Sequence, residues 1–159
     1  MESQKLSDLH KTILEIVRDF DIFCKENNIT YYLMGGSALG AMRHQGFIPW
    51  DDDFDVFMDN ANYHKFINIV KVSLDEDKYY FQEEDTEEWP LFFSKIRMNN
   101  TTFIEQDVAE LPIHHGIYID IMCLNNVFEN KPLRFFQYLS AKVLSASVLG
   151  KRGYTTNSV

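Results

Sequence analysis

Asp51, Asp52, Asp53 and Asp55 set four carboxylates in five positions, inside a stretch that is otherwise apolar from Phe47 to Phe57. Solvated acidic runs are flanked by other polar residues, and these are not. From Asp53 the letters alternate, so a strand's period of two puts Asp53, Asp55 and Phe57 on one face and Phe54, Val56 and Met58 on the other. Asp51 joins the acidic face if the strand begins early. Carboxylates two apart on a strand have Cα atoms about 6.5–7 Å from each other, and are costly to ionise side by side without a cation. A divalent metal resolves that cost. Mg²⁺ takes one or two carboxylates together with waters and substrate phosphates, so this spacing points to phosphate chemistry rather than to a closed structural site. A capped helix or exposed loop is the plainer alternative for an acidic cluster. An EF-hand is not: its loop needs glycine sixth and glutamate twelfth, and counting from Asp51 those positions hold Val56 and Asn62.

At 159 residues and 45% apolar, the chain has material for one core. Its net charge of −9 argues against a nucleic-acid binder that relies on bulk positive field. The charge is uneven: from residue 129 onward five cations face Glu129 alone, which leaves −13 on the first 128 residues. Cys24 and Cys123 are too few and too scattered for a disulfide framework or a Cys-rich zinc site, and both suit a reducing cytosol. No long apolar run follows the first residues or approaches a membrane span elsewhere. The expected location is therefore cytoplasmic.

Leu6, Leu9, Ile13, Ile16, Val17, Phe20 and Phe23 recur at helical spacing and predict a helix to about Asn27. A short strand at 31–34 is broken by Gly35-Gly36, and 37–44 reads as a short helix stopped by Gly46. The aspartate strand follows, then a helix capped by Asp59 or Asn60 with Tyr63, Phe66, Ile67 and Val70 on its apolar side. Strands are expected at 79–81 and 91–98, with a hairpin return at 101–104 after Asn99-Asn100. Residues 117–122 read as a central strand with one charge in it, Asp120. A last helix is expected after Pro132, with Leu133, Phe136, Leu139, Val143 and Leu144 in its stripe.

Gly35-Gly36-Ser37, between strand and helix, offers backbone N–H groups and a hydroxyl to an anion. Standing about fifteen residues before the aspartates, it can share a sheet edge with them. Asp120 sits in a strand too apolar for a solvated edge, so it needs a partner. A third metal ligand, a general base for an attacking hydroxyl, and a salt bridge to Lys95 or Arg97 all answer that need. Lys95 and Arg97, two apart on one strand face, either clamp a phosphate or neutralise the acidic body. Arg43, with its planar fork, is a better phosphate contact than His44. Trp50 beside the acids suits a stacking wall for a base or part of a cation cage.

The run from Met34 through Gly35-Gly36-Ser37 and Arg43 to Trp50-Asp51-Asp52-Asp53-Phe54-Asp55 resembles the LicD family of phosphotransferases, whose relatives include the fukutin-related proteins. Lys95-Ile96-Arg97, Thr101 to Glu105 and Gly116 to Ile121 look like that family's later blocks. The resemblance implies an α/β nucleotidyltransferase-like fold, a mixed sheet flanked by helices. It also implies a phosphate turn at Gly35, Gly36 and Ser37, metal ligation by Asp53 and Asp55 assisted by Asp51, and a third carboxylate at Asp120. The implied reaction transfers phosphocholine or a related phospho-alcohol from a cytidine nucleotide, a CDP-choline-like donor, to a sugar of a lipopolysaccharide or teichoic acid precursor. Mg²⁺ or Mn²⁺ is the implied cofactor.

Departures from the family pattern follow Asp120-Ile121, where Met122, Cys123, Leu124 and Asn125 replace an aromatic, a proline and a further acid. Family members are also longer. The expected division is a catalytic core over 1–130 and, over 131–159, a basic amphipathic helix and tail that open an incomplete C-terminal region. That helix suits a peripheral contact with the inner face of a membrane. Two other functions stay open: an inactive nucleotide- or metal-binding remnant, and nucleotidyl transfer to a protein.

Overall fold

A computed structural model describes residues 2–151. Along the chain run α1 (Glu2–Glu26), β1 (Tyr32–Leu33), α2 (Gly35–His44), β2 (Asp55–Asp59) and α3 (Asn60–Ser73). There follow β3 (Tyr79–Gln82), β4 (Ser94–Met98), a short 3-10 helix (Gln106–Val108), β5 (Tyr118–Leu124) and α4 (Lys131–Lys151). The strands form one mixed sheet in the order β1-β2-β5-β4-β3. Only the central β2–β5 pair is parallel. This is the mixed α/β architecture that the resemblance implies.

The stripe on α1 does what its spacing predicts: Ile13, Ile16, Phe20 and Cys24 are all buried. The helix ends where Asn28 takes a left-handed φ of 50°, a conformation asparagine tolerates better than most residues. α3 begins at Asp59, whose carboxylate accepts the Asn62 backbone N–H at 2.8 Å, and buries Tyr63, Phe66 and Val70. Both helices pack on one face of the sheet. There they meet Val56 and Met58 of β2, Ile119 and Ile121 of β5, and Ile96 and Met98 of β4.

The strand period sends the intervening residues to the opposite face. In register across it lie Asp55, Asp120, Lys95 and Gln82, one from each of β2, β5, β4 and β3. The adjacent row is Tyr118, Arg97 and Tyr80. No helix covers this face among the described residues; instead Trp89, 1% exposed, lies against it and within reach of both Lys95 and Arg97.

Several local expectations change. The hairpin at 101–104 does not form, because β4 already pairs with β3 on one side and β5 on the other. Thr101 instead accepts the Ile117 N–H through its hydroxyl, and Phe103 N–H donates to His115 O, so the segment runs beside the approach to β5. The left-handed residue closing α2 is Gln45, φ 54°, one place before the glycine expected to stop it. The strand β2 starts at Asp55, so the expected alternation holds as strand pairing from Asp55 to Met58, while Asp51, Asp52 and Asp53 lie in the irregular segment ahead of it. α4 occupies the predicted span, with Leu133, Phe136, Leu139, Val143 and Leu144 all exposed. The tail at 152–159 lies outside the described residues.

Candidate active site

The first turn of α2 and the start of β2 are fastened together. The Asp55 N–H donates to Ser37 Oγ at 2.8 Å, and Met34 N–H donates to Asp55 O at 3.0 Å. Gly35 holds a left-handed φ of 52°, which an L side chain adopts only with strain. Gly36 answers a different need: a Cβ there would sit 2.3 Å from Asp51 Oδ2, so only glycine lets that carboxylate lie against the helix's first turn. Met34 caps α2 without a side-chain hydrogen bond, and no acid lies in its first turn. The positive end of the helix therefore faces the acidic segment.

In that segment one carboxylate oxygen each from Asp51, Asp52 and Asp53 lie within 4.8 Å of one another. Burial, and then the charges of Asp55, Asp51 and Asp52, push Asp53 up to about 6. Asp55 is also raised, chiefly by burial, with Lys95 working against the shift and Asp51 adding to it. Asp120 is 8% exposed, and burial drives its carboxyl up to about 7 even with a cation alongside. That cation is Lys95, whose Nζ lies 2.9 Å from Asp120 Oδ1. The two side chains form a buried ion pair.

Both cations of β4 are enclosed. Lys95, 1% exposed, also lies 3.3 Å from Glu105 Oε1 and sits over the Tyr118 ring. Arg97, 0% exposed, donates to Gln82 Oε1 at 2.8 Å, Gly116 O at 3.0 Å and Glu105 Oε2 at 3.2 Å. Burial raises Glu105, but Lys95, Tyr118 and Arg97 together outweigh it and hold the carboxyl below its ordinary value. The fold thus brings Gly35, Gly36, Ser37, Asp51, Asp53, Asp55, Asp120 and Lys95 to one end of the β2–β5 pair, with Arg97 in the adjacent row. Arg43 is not among them. It is exposed in the last turn of α2, eight residues from Gly35, or about 12 Å along the helix axis.

Two contributors went unassigned in the sequence. Glu105 is the shared partner of Lys95 and Arg97, and a lone glutamate after an apolar Thr-Thr-Phe-Ile run was its only signal. His10 lies 2.6 Å through Nε2 from the Asp51 carbonyl and stacks on Phe47, ring centroids 4.2 Å apart. It props the acidic loop from α1. A histidine inside an otherwise apolar helical stripe was the available sign.

Residues 28–131 match the LicD/FKTN/FKRP nucleotidyltransferase domain. This chain belongs to that family. It is 41% identical over 69 residues to a protein of Haemophilus influenzae named lipopolysaccharide cholinephosphotransferase LicD, a span of 43% of this chain and 26% of that protein. Uncharacterised proteins of Rickettsia prowazekii and Rickettsia typhi are each 42% identical over 45 residues, 28% of this chain and 17% and 15% of their own lengths. The matched segment is thus about a quarter or less of each of these relatives. The LicD-type domain includes every site residue named above except His10, which stands on the helix leading into it.

Proposed function

We propose that this LicD-family domain transfers phosphocholine, or a related phospho-alcohol group, from a cytidine nucleotide such as CDP-choline to a sugar hydroxyl of a cell-surface glycan precursor. The observation that carries the reading is the register row Asp55, Asp120, Lys95 beside the Asp51–Asp53 cluster, in a domain of a family that includes a cholinephosphotransferase.

The donor set fits a hard divalent cation, Mg²⁺ or Mn²⁺. It offers oxygen atoms only, three of them, from Asp51, Asp52 and Asp53, within 4.8 Å of one another, and Asp53 is raised by burial and by the charges of Asp55, Asp51 and Asp52. Asp51, Asp53 and Asp55 would hold such an ion, which offsets the negative charge of the donor phosphates. The chain's own groups account for the remaining steps. N–H groups of the first turn of α2 hold donor phosphate oxygens, and Gly36 leaves room for Asp51, with the ion it would hold, to lie beside them. The acceptor oxygen bonds to the phosphorus, the bond from phosphorus to the CMP oxygen breaks, and the acceptor proton passes to Asp120. A carboxyl raised to about 7 is well matched to accepting that proton at neutral pH. Lys95, pinned between Asp120 and Glu105, keeps the base in place.

CMP release from CDP-choline, measured with and without a glycan acceptor, tests the proposal. Acceptor-dependent release is expected, lost in EDTA and restored by Mg²⁺ or Mn²⁺. Asp55→Asn should lower it by about 10²–10³-fold, the scale of one lost electrostatic contact to the transition state. No release under any condition supports the inactive remnant, and CMP appearing on protein supports nucleotidyl transfer.

A further inference from the structure

A groove of about 760 Å³ runs from the acidic loop along the first three turns of α1. Trp50 and Asp52 line it from the acidic segment, Leu6, Leu9 and Thr12 from α1, and Thr102, Phe103 and Ile117 from the stretch between β4 and β5. The volume lies within the roughly 300–1,000 Å³ of small-molecule sites. We propose that this groove is the acceptor subsite and that it takes a neutral sugar unit, stacked on Trp50.

Position comes first. Asp52 lines the groove, and one of its carboxylate oxygens lies within 4.8 Å of one each from Asp51 and Asp53, so a ligand in the groove reaches the acidic segment. Asp51 lies against the first turn of α2 at Gly36, and no residue of that turn lines the groove, so the proposed place of the donor phosphates is separate from it. Nucleophile and leaving group must lie on opposite sides of the phosphorus in an in-line displacement. A groove that begins at Asp52 and shares no residue with the first turn of α2 gives the acceptor an approach separate from the donor's.

Charge selects the ligand class. Among the described residues the one cation lining the groove is Lys5, against Asp8 and Asp52, and Asp8 is already paired with Lys11 at 2.9 Å. A site for phosphate concentrates cations or helix N-terminal N–H groups, and this groove does neither. Its lining combines the rings of Trp50 and Phe103 and the apolar Leu6, Leu9 and Ile117 with the hydroxyls of Thr12 and Thr102 and the carboxylates of Asp8 and Asp52. Trp50 is 77% exposed, so a flat face beside the chemistry stays open to a partner. Sugars match those features, having apolar ring faces and hydroxyl edges. A trimethylammonium group asks instead for enclosure by several aromatic faces, whereas here Trp50 and Phe103 are the only aromatic residues of an open groove.

The inference rests on the proposed transfer for its biological meaning, but its test does not need turnover. Trp89 is buried and Trp50 exposed, so ligand-induced change in tryptophan emission, with Trp50→Phe as the control, reports on the groove. Neutral methyl glycosides of glucose, galactose and N-acetylglucosamine, choline chloride and CMP are titrated separately. At least one glycoside should perturb the emission. Saturation transfer to its ring protons should weaken about tenfold in apparent affinity in Trp50→Ala, the scale of a lost aromatic anchor. Thr12→Trp, which fills the groove from α1, should do the same with Trp50 intact. A response to choline or to CMP with none to any glycoside overturns the proposal and gives the groove to the donor. So does the absence of any response up to tens of millimolar. Should CMP release proceed while no glycoside binds, the transfer stands and the groove assignment falls; the reverse pattern retains the groove and removes the transfer.

Discussion

The two faces of the central sheet use the same strands for opposite ends. On one, Val56, Met58, Ile96, Ile119 and Ile121 meet α1 and α3 in a core without a charge. On the other, the same strands present Asp55, Asp120, Lys95 and Arg97, all at least half-buried, and cover them with loops. The apolar face gains from every atom removed from water. The polar face gains only while each charge keeps its partner, because a buried ion left alone costs several kcal/mol. One face is built for stability. The other spends some of it, as functional sites do when like charges are held together.

The largest effects should come from truncating each face in turn. Phe66 is fully buried and makes edge contacts with Phe20, Phe23 and Phe81, ring centroids 5.9 Å apart in each case. Phe66→Ala should cost about 3–5 kcal/mol in urea unfolding, with Mg²⁺ affinity unchanged in whatever fraction remains folded. A cost under about 1 kcal/mol would mean that the helices do not close the core as described.

Arg97→Met should cost a similar ~3–5 kcal/mol, but for a different reason: it leaves Gln82 Oε1 and Gly116 O without this donor and Glu105 with Lys95 alone. Replacing Arg97, Glu105 and Gln82 together by Met, Leu and Leu should recover most of that loss. If the triple variant is as unstable as the single one, the comparison between faces breaks, since the polar cluster would then be stabilising in its own right.

Metal binding gives a narrower test. Calorimetry should detect Mg²⁺ or Mn²⁺ binding to the unaltered chain and none to an Asp53→Ala, Asp55→Ala double variant. Equal affinity in the two would remove the acidic segment from the metal site.

The smallest expected effect is a pH dependence of the metal-free protein. Asp53 and Asp120 have folded values of about 6 and about 7 against an ordinary 3.8, so between these limits the folded state holds more protons than the unfolded one. Stability then falls as pH rises through that window and levels off above it. In EDTA, Tm should be lower at pH 8 than at pH 5.5, and Mg²⁺ should shrink the difference. A Tm that climbs over the same range would show that the raised carboxyls do not govern the polar face.

Much of this was legible in the chain. The α1 and α3 stripes announced the core face because a helical period survives any tertiary context that buries one side. Gly35-Gly36-Ser37 and the aspartates announced the site through residue types that carry few other meanings in that order. The hairpin at 101–104 was misread because a turn signal at Asn99-Asn100 says where the chain bends and not which strand already occupies the edge of β4. Arg43 suits a phosphate by chemistry, and α2 places it about 12 Å along the helix axis from Gly35.

Local order therefore determined the helices, the apolar alternation of β5 and the identity of the acidic cluster, since each depends on neighbours within a few residues. Tertiary structure alone decided which charge meets which. Asp120, Lys95 and Asp55 belong to strands distant in sequence, and only the parallel register of β2 with β5 and the antiparallel register of β4 with β5 set them in one row. Glu105 and His10 took their roles in the same way, from loop and helix positions fixed by burial across the whole sheet. Pairing between remote residues is settled by the packing that closes the core, and a sequence states the groups that need partners without saying where those partners will be.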